Sequence, residues 1–216
     1  MAAKLSKKER YLNNPNLPSV EAKFEYTVEM LEEIKKCKDS ILYFAQKYFY
    51  IVDPDDGKVL IPLLPYQKRL LKAFQTHRMN IVLSSRQSGK TTVLTILALH
   101  EACFHDYKNI VIVANKEDTA KMIFKRVKLA YQEMPNWLKP AVKNWGQESS
   151  EFANGSYVGI STTTGSAARG QTINCVSGES VITLKDKTNG NIFDISMEKL
   201  SSILEQNGEI DTYLVD

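Results

Sequence analysis

The stretch Met79-Asn80-Ile81-Val82-Leu83-Ser84-Ser85-Arg86-Gln87-Ser88-Gly89-Lys90-Thr91-Thr92 decides the fold. Its apolar run, Ile81 to Leu83, reads as a short buried strand. A loop of small and polar residues follows, and Thr92 to His100 is long and apolar enough for a buried helix. Strand, Gly89-Lys90-Thr91 loop and helix together spell a phosphate-binding loop of Walker A type. Backbone N–H groups around Gly89 would face an anion, and the helix dipole adds positive potential. The pattern gives Lys90 the β- and γ-phosphates of a nucleotide and gives the Thr91 hydroxyl a Mg²⁺ ion. Ser85, Gln87, Ser88, Gly89 and Thr92 complete the nucleotide-binding candidates.

The loop departs from G-x-x-x-x-G-K-[ST] at its first position, where Ser84 replaces glycine. A surface loop that happens to contain Gly-Lys-Thr is the plain alternative. Against it stand the flanking strand and helix. Arg86 also argues for a ligand, because a second cation beside Lys90 is awkward unless an anion lies between them.

The chain has 216 residues, room for one sizeable domain and a small one. Its 43% hydrophobic and 25% charged content is that of a globular protein. No apolar run approaches the ~20 residues of a membrane span, and the basic N-terminus lacks the apolar segment of a secretory signal. The three cysteines, Cys37, Cys103 and Cys175, are odd in number and widely spaced. They fit a reducing, cytosolic setting. The net charge of +3 hides a split: 3 Lys/Arg against 8 Asp/Glu from Cys175 onward leave 25 against 17 before it. A basic front part could touch phosphate backbones. The abrupt change at residue 175 predicts two modules of different origin.

Residues 1–26 read as a polar N-terminal arm. Thr27 is placed to cap a helix with Met30, Leu31 and Ile34 on its apolar side. A second helix is expected from Asp39 or Ser40, with Ile41, Phe44, Ala45 and Tyr48 inward. Asp53-Pro54-Asp55-Asp56-Gly57 marks a turn between two short strands. A helix over Lys68–Phe74 follows Pro65-Tyr66-Gln67. The Gln67 amide can bond both the donor and the acceptor edge of adenine, and Tyr66 could stack nearby. Asn109–Asn115 reads as a central parallel strand, Glu117–Met134 as a helix, and Phe152 to Ile160 as a hairpin turning at Asn154-Gly155. The order of strands and helices predicts an α/β fold with a parallel sheet.

With those residues in view, 27–174 resembles the ATPase domain of the large terminase subunit of tailed bacteriophages. The likeness rests on Lys36-Cys37-Lys38-Asp39, Tyr43-Phe44, Tyr66-Gln67, Arg86 to Thr92, Ala114-Asn115-Lys116, Pro135-Asn136-Trp137-Leu138, Asn154-Gly155-Ser156, and Ala168-Arg169-Gly170 with Asn174. The resemblance implies a RecA-like ATPase using ATP and Mg²⁺ to drive DNA into a procapsid. It implies adenine reading by Gln67, a γ-phosphate trigger role for Arg86, and an arginine finger or coupling role for Arg169. It also implies double-stranded DNA, the portal, the small terminase subunit and other terminase copies as partners, in the cytoplasm of an infected bacterium.

After Asn174 the family runs into an apolar strand ending in Asp-Glu, which completes the Mg²⁺ shell and activates water. This chain instead reads Asn174-Cys175-Val176-Ser177-Gly178-Glu179-Ser180, then two alternating runs around Val181–Leu184 and Ile192–Ser196. From Cys175 to residue 216 it resembles the start of an intein, a small all-β Hint-type element. That resemblance makes Cys175 the splicing nucleophile and Asn174 the scissile carbonyl. His77, His100 and His105 all precede Cys175, so the later intein histidines must come from a complementary C-terminal fragment or a longer chain. The expected activity is therefore that of an ATPase completed by splicing. The alternatives are a stand-alone nucleotide-binding protein with an acidic regulatory tail, or a truncated terminase.

Overall fold

The computed structural model describes residues 5–53, 55–77, 80, 82, 88–114, 116–162, 181–185 and 192–196. Helix α1, Val28–Asp39, starts where Thr27 Oγ1 accepts the Met30 N–H at 3.3 Å. Ser40 ends α1 and caps α2, Ile41–Tyr48, by accepting the Tyr43 N–H at 3.1 Å. One extended residue thus joins two helices. Leu31 lies outside the apolar face expected of it and is exposed, whereas Cys37 is fully buried and Ile34 packs on the core. The buried stripe of α1 runs three residues apart, from 34 to 37, as helical geometry requires.

The turn at residues 53–57 joins β1, Tyr50–Asp53, to β2, Gly57–Leu60, as an antiparallel pair. Asp53 Oδ1 accepts the N–H groups of Asp55 and Asp56, and Gly57 takes a positive φ of 69°. Helix α3, Pro65–Thr76, leads towards the phosphate-loop stretch. Helix α4, Lys90–Phe104, buries Val93, Ile96, Leu99 and Ala102 completely and Thr95 almost so. The Thr95 hydroxyl donates to Thr91 O at 2.8 Å, which lets a polar residue sit inside. A helix apolar nearly all round belongs in the core.

Strand β3, Asn109–Ala114, is buried along its last five residues. Helix α5, Glu117–Glu133, covers it with Ala120, Ile123, Phe124, Val127, Ala130 and Tyr131. Strands β4, Val142–Trp145, β5, Ser149–Phe152, and β6, Tyr157–Thr162, complete a four-stranded sheet in the order β3-β6-β5-β4. Only β3 and β6 are parallel, with Ile110 opposite Val158 and Ile112 opposite Ile160. The other two pairs are antiparallel. The expected parallel sheet is therefore a mixed one. Strands β4, β5 and β6 follow one another through short turns, which permit antiparallel neighbours only. The crossover through α5 is long enough for the parallel pair. Ile81 and Leu83, the expected strand before the phosphate loop, lie outside the described residues.

The N-terminal residues are not a free arm. Leu5 and Leu17 are buried. Ser19 forms a bridge to Val142, whose N–H donates to Pro18 O at 2.8 Å. Lys139 Nζ donates to Asn16 O, also at 2.8 Å. Strands β7, Val181–Lys185, and β8, Ile192–Ser196, pair antiparallel with each other in a sheet of their own. Among the described residues no helix is long and apolar enough to cross a membrane.

Candidate nucleotide site

Proline opens α3 at its first position, where a missing N–H costs nothing. Two residues on, Gln67 turns its side chain back, and Oε1 accepts the Leu64 N–H at 3.0 Å. A backbone N–H can only donate, so the oxygen of the amide is assigned by this bond and Nε2 points the other way. It points at Gly89. A β-carbon on Gly89 would stand 2.5 Å from Gln67 Nε2 and 3.6 Å from the Tyr66 hydroxyl. Gly89 has φ 78° and ψ 16°, the left-handed region that favours glycine. The backbone conformation favours glycine here, and a β-carbon would in addition displace the Gln67 amide.

Gly89 is also the N-cap of α4. Its carbonyl accepts the N–H groups of Thr92 and Val93 at 3.0 and 3.2 Å, and it brings no side-chain acceptor to the first turn. Lys90, Thr91 and Thr92 are the first three residues of the helix, all half-buried. The positive end of a fifteen-residue helix thus emerges beside the Gln67 amide. Gln67 is 6% exposed, and the Tyr66 hydroxyl is buried with no hydrogen-bond partner among the described residues. An orphaned hydroxyl, an inward amide donor and a cradle that a methyl group would fill all fit a nucleotide with acceptor oxygens and nitrogens. One handle that the sequence suggests is already committed: the Gln67 carbonyl serves α3. Its second lone pair remains for an incoming donor.

Tyr66, Gln67, Gly89 and the start of α4 are thus brought together. Ser88 precedes Gly89 in the same bend. Ser85, Arg86, Gln87, Arg169, Asn174 and Cys175 lie outside the described residues. Cys37 is a structural thiol: burial first, and Glu33 second, push it up to about 12. Burial likewise raises Cys103.

Sequence reading misses two polar groups. Lys139, 4% exposed, donates to Asn16 O, Tyr131 O and Gln132 O, and its ammonium lies 4.8 Å from the Tyr131 ring centroid. Burial pulls it down to about 7. His100, 2% exposed, donates from Nε2 to Cys37 O at 2.8 Å. Burial takes it down to about 4, so it is neutral at pH 7. No local pattern announces either, since Lys139 depends on Asn16 and His100 on Cys37, both distant in sequence.

A family model described as "Terminase large subunit, T4likevirus-type, N-terminal" matches residues 81–198, more than half of the chain. The chain belongs to this terminase large-subunit family. The match begins inside the phosphate-loop stretch and runs past Cys175. The chain is also similar to the crystal structure of the HK97 bacteriophage large terminase, with 15% sequence identity and a TM-score of 0.54. That likeness is one of fold. It covers 82% of this chain and 36% of the HK97 protein, so this terminase chain spans about a third of that relative's length.

Proposed function

We propose that this chain is the nucleotide-binding front part of a phage DNA-packaging motor, with a RecA-like phosphate loop that holds ATP and Mg²⁺. The observation that carries the reading is the packing of Gln67 and Tyr66 against the left-handed Gly89 at the start of α4. Lys90 and the first-turn N–H groups bind the phosphates. Thr91 would offer its hydroxyl to Mg²⁺, which would neutralise phosphate charge. Gln67 Nε2 donates to the base and its oxygen accepts from the adenine amino group. Arg86 is the γ-phosphate trigger, and Arg169 the residue that couples to a neighbouring copy. Double-stranded DNA, a portal, a small terminase subunit and further copies of the large subunit are the proposed partners.

The same reading makes residues 175–216 the first part of an intein. The Cys175 thiolate attacks the Asn174 carbonyl carbon. A C–S bond forms, the Asn174–Cys175 C–N bond breaks, and the Cys175 nitrogen takes up the proton. A complementary fragment would then join residues 1–174 to the rest of the terminase, including its Asp-Glu strand. The sign change in charge at residue 175 and the separate β7–β8 sheet support a distinct module.

One finding favours a second reading. The family match continues to residue 198, as it would if residues 175–198 were a divergent continuation of the terminase domain. Mixing the chain with a C-terminal intein half fused to the downstream terminase separates the two. The first reading expects a ligated product, N-terminal release by free thiol, loss of both in Cys175→Ala, and ATP turnover only after ligation. Absence of any product from a partner that binds would leave the second.

A further inference from the structure

At the far end of α4 from the phosphate loop, three metal-binding side chains converge. One nitrogen each from His100 and His105 and a carboxylate oxygen of Glu101 all lie within 4.8 Å of one another. We propose that this corner is a transition-metal site of the zinc class, formed by His100, Glu101 and His105, that pins the end of α4 to the loop leading into β3.

The arrangement has the supporting shell that such a site needs. His100 is buried between Phe44 and Phe104, with ring centroids 5.7 and 5.2 Å away. Its Nε2 faces the Cys37 carbonyl, which can only accept, so the proton sits on Nε2 and Nδ1 keeps its lone pair. An imidazole N–H held by a backbone carbonyl is the usual orienting contact of a metal-ligating histidine. Glu101 is oriented as well. Lys108 Nζ lies 3.3 Å from Oε2, while Oε1 lies 3.7 Å from His105 Nε2. One carboxylate oxygen is thus held and the other faces the imidazole.

The backbone around the site is also fixed. Asn154 Nδ2 donates to Ala102 O and His105 O, and the Ser156 hydroxyl donates to His105 O. These contacts secure the last carbonyls of the helix. The chain leaves helical geometry at His105, φ −124° and ψ 141°, which brings its ring to 5.6 Å from that of His100.

The chemistry of the donors selects the cation. Two imidazoles and one carboxylate suit Zn²⁺ and its borderline neighbours rather than Ca²⁺ or Mg²⁺, which favour oxygen. Bonds of about 2.0–2.1 Å bring tetrahedral ligands closer than they stand here, so the site must tighten. The side chains that would move are those of His105 and Glu101, 32% and 26% exposed, while buried His100 stays. Three protein ligands leave a fourth position for water. The negative end of the α4 dipole favours a cation here, as its positive end favours phosphate at Lys90.

The test uses the full chain, stripped with EDTA and without nucleotide. Co²⁺ is titrated and followed by visible absorption, Zn²⁺ is used to displace it, and the melting temperature is read with and without Zn²⁺. The wild type should take up one equivalent and melt higher with Zn²⁺. His105→Ala and Glu101→Gln should each weaken binding at least about tenfold and abolish the melting shift. Circular dichroism of both variants checks that they fold. No saturable uptake by the wild type would overturn the proposal. So would uptake unchanged in both variants, which would place the metal elsewhere. Loss in only one variant would remove the other residue from the ligand set and overturn a three-ligand site.

Discussion

Gln67 and Gly89 touch across the boundary between α3 and α4: Nε2 stands 2.5 Å from where a β-carbon on Gly89 would be. The contact couples the residue proposed to read the base to the glycine proposed to admit the phosphates. Gly89→Ala should therefore lower ATP affinity at least about tenfold. The left-handed conformation alone costs about 1–2 kcal/mol for a residue with a β-carbon, and the amide must also move. Adding Gln67→Ala removes the clash but not the strain. Calorimetry on the two single variants and the double variant should give a coupling above about 0.5 kcal/mol. Strict additivity would mean that the two residues do not share a site.

Gln67→Ala should weaken ATP more than GTP. The amide donor can meet N7 of either purine, but its oxygen finds an amino hydrogen at the six-position of adenine only. A difference of about tenfold is expected, in line with about 1–1.5 kcal/mol for one buried hydrogen bond. Equal losses for the two nucleotides would remove the Gln67 oxygen from base recognition. The melting temperature should fall too, because Oε1 caps α3.

Much of this is readable from local sequence, and the reason is physical. Helix α4, strand β3 and helix α5 carry their burial in their own residues, the first two as continuous apolar runs and α5 as a helical stripe, so the local pattern suffices. The closeness of Tyr66-Gln67 to Gly89 follows once a glycine loop is placed one helix downstream. The pairing of β4 with residues 18 and 19 and the docking of Leu17 are different. Val142 finds Pro18 and Ser19 more than a hundred positions away, and nothing in Val-Lys-Asn-Trp foretells it. Alternating strands and helices point to a parallel sheet; the short turns that make it mixed exert their effect only through pairing. Lys139 looks like a surface lysine until three carbonyls gather round it.

Leu17→Ala tests whether the N-terminal residues belong to the core. Leu17 is 2% exposed and joins the main apolar cluster. Truncation should cost about 2–4 kcal/mol in urea unfolding. A loss below about 0.5 kcal/mol would restore residues 5–20 to the status of a loose arm.

Lys139 makes stability depend on pH. Its ordinary value of 10.5 falls to about 7 on burial. Between those two values the unfolded chain holds a proton that the folded chain has released, so stability from this group rises with pH across that window. The stability of the wild type relative to Lys139→Met should therefore increase from pH 7 towards pH 10. The comparison cancels the opposite effect of the buried Cys37 thiol, which both chains share. A difference that shrinks with pH would mean that the ammonium is retained by its carbonyls.

The central claim is that the Gly89 corner binds a nucleotide through its phosphates, and equilibrium binding of Mg·ATP to the chain alone tests it most directly. Wild type should bind saturably at one site, and Lys90→Ala, shown by circular dichroism to be folded, should bind at least about tenfold more weakly. Equal affinity of the two proteins for Mg·ATP, or no saturable binding by the wild type, would contradict the account.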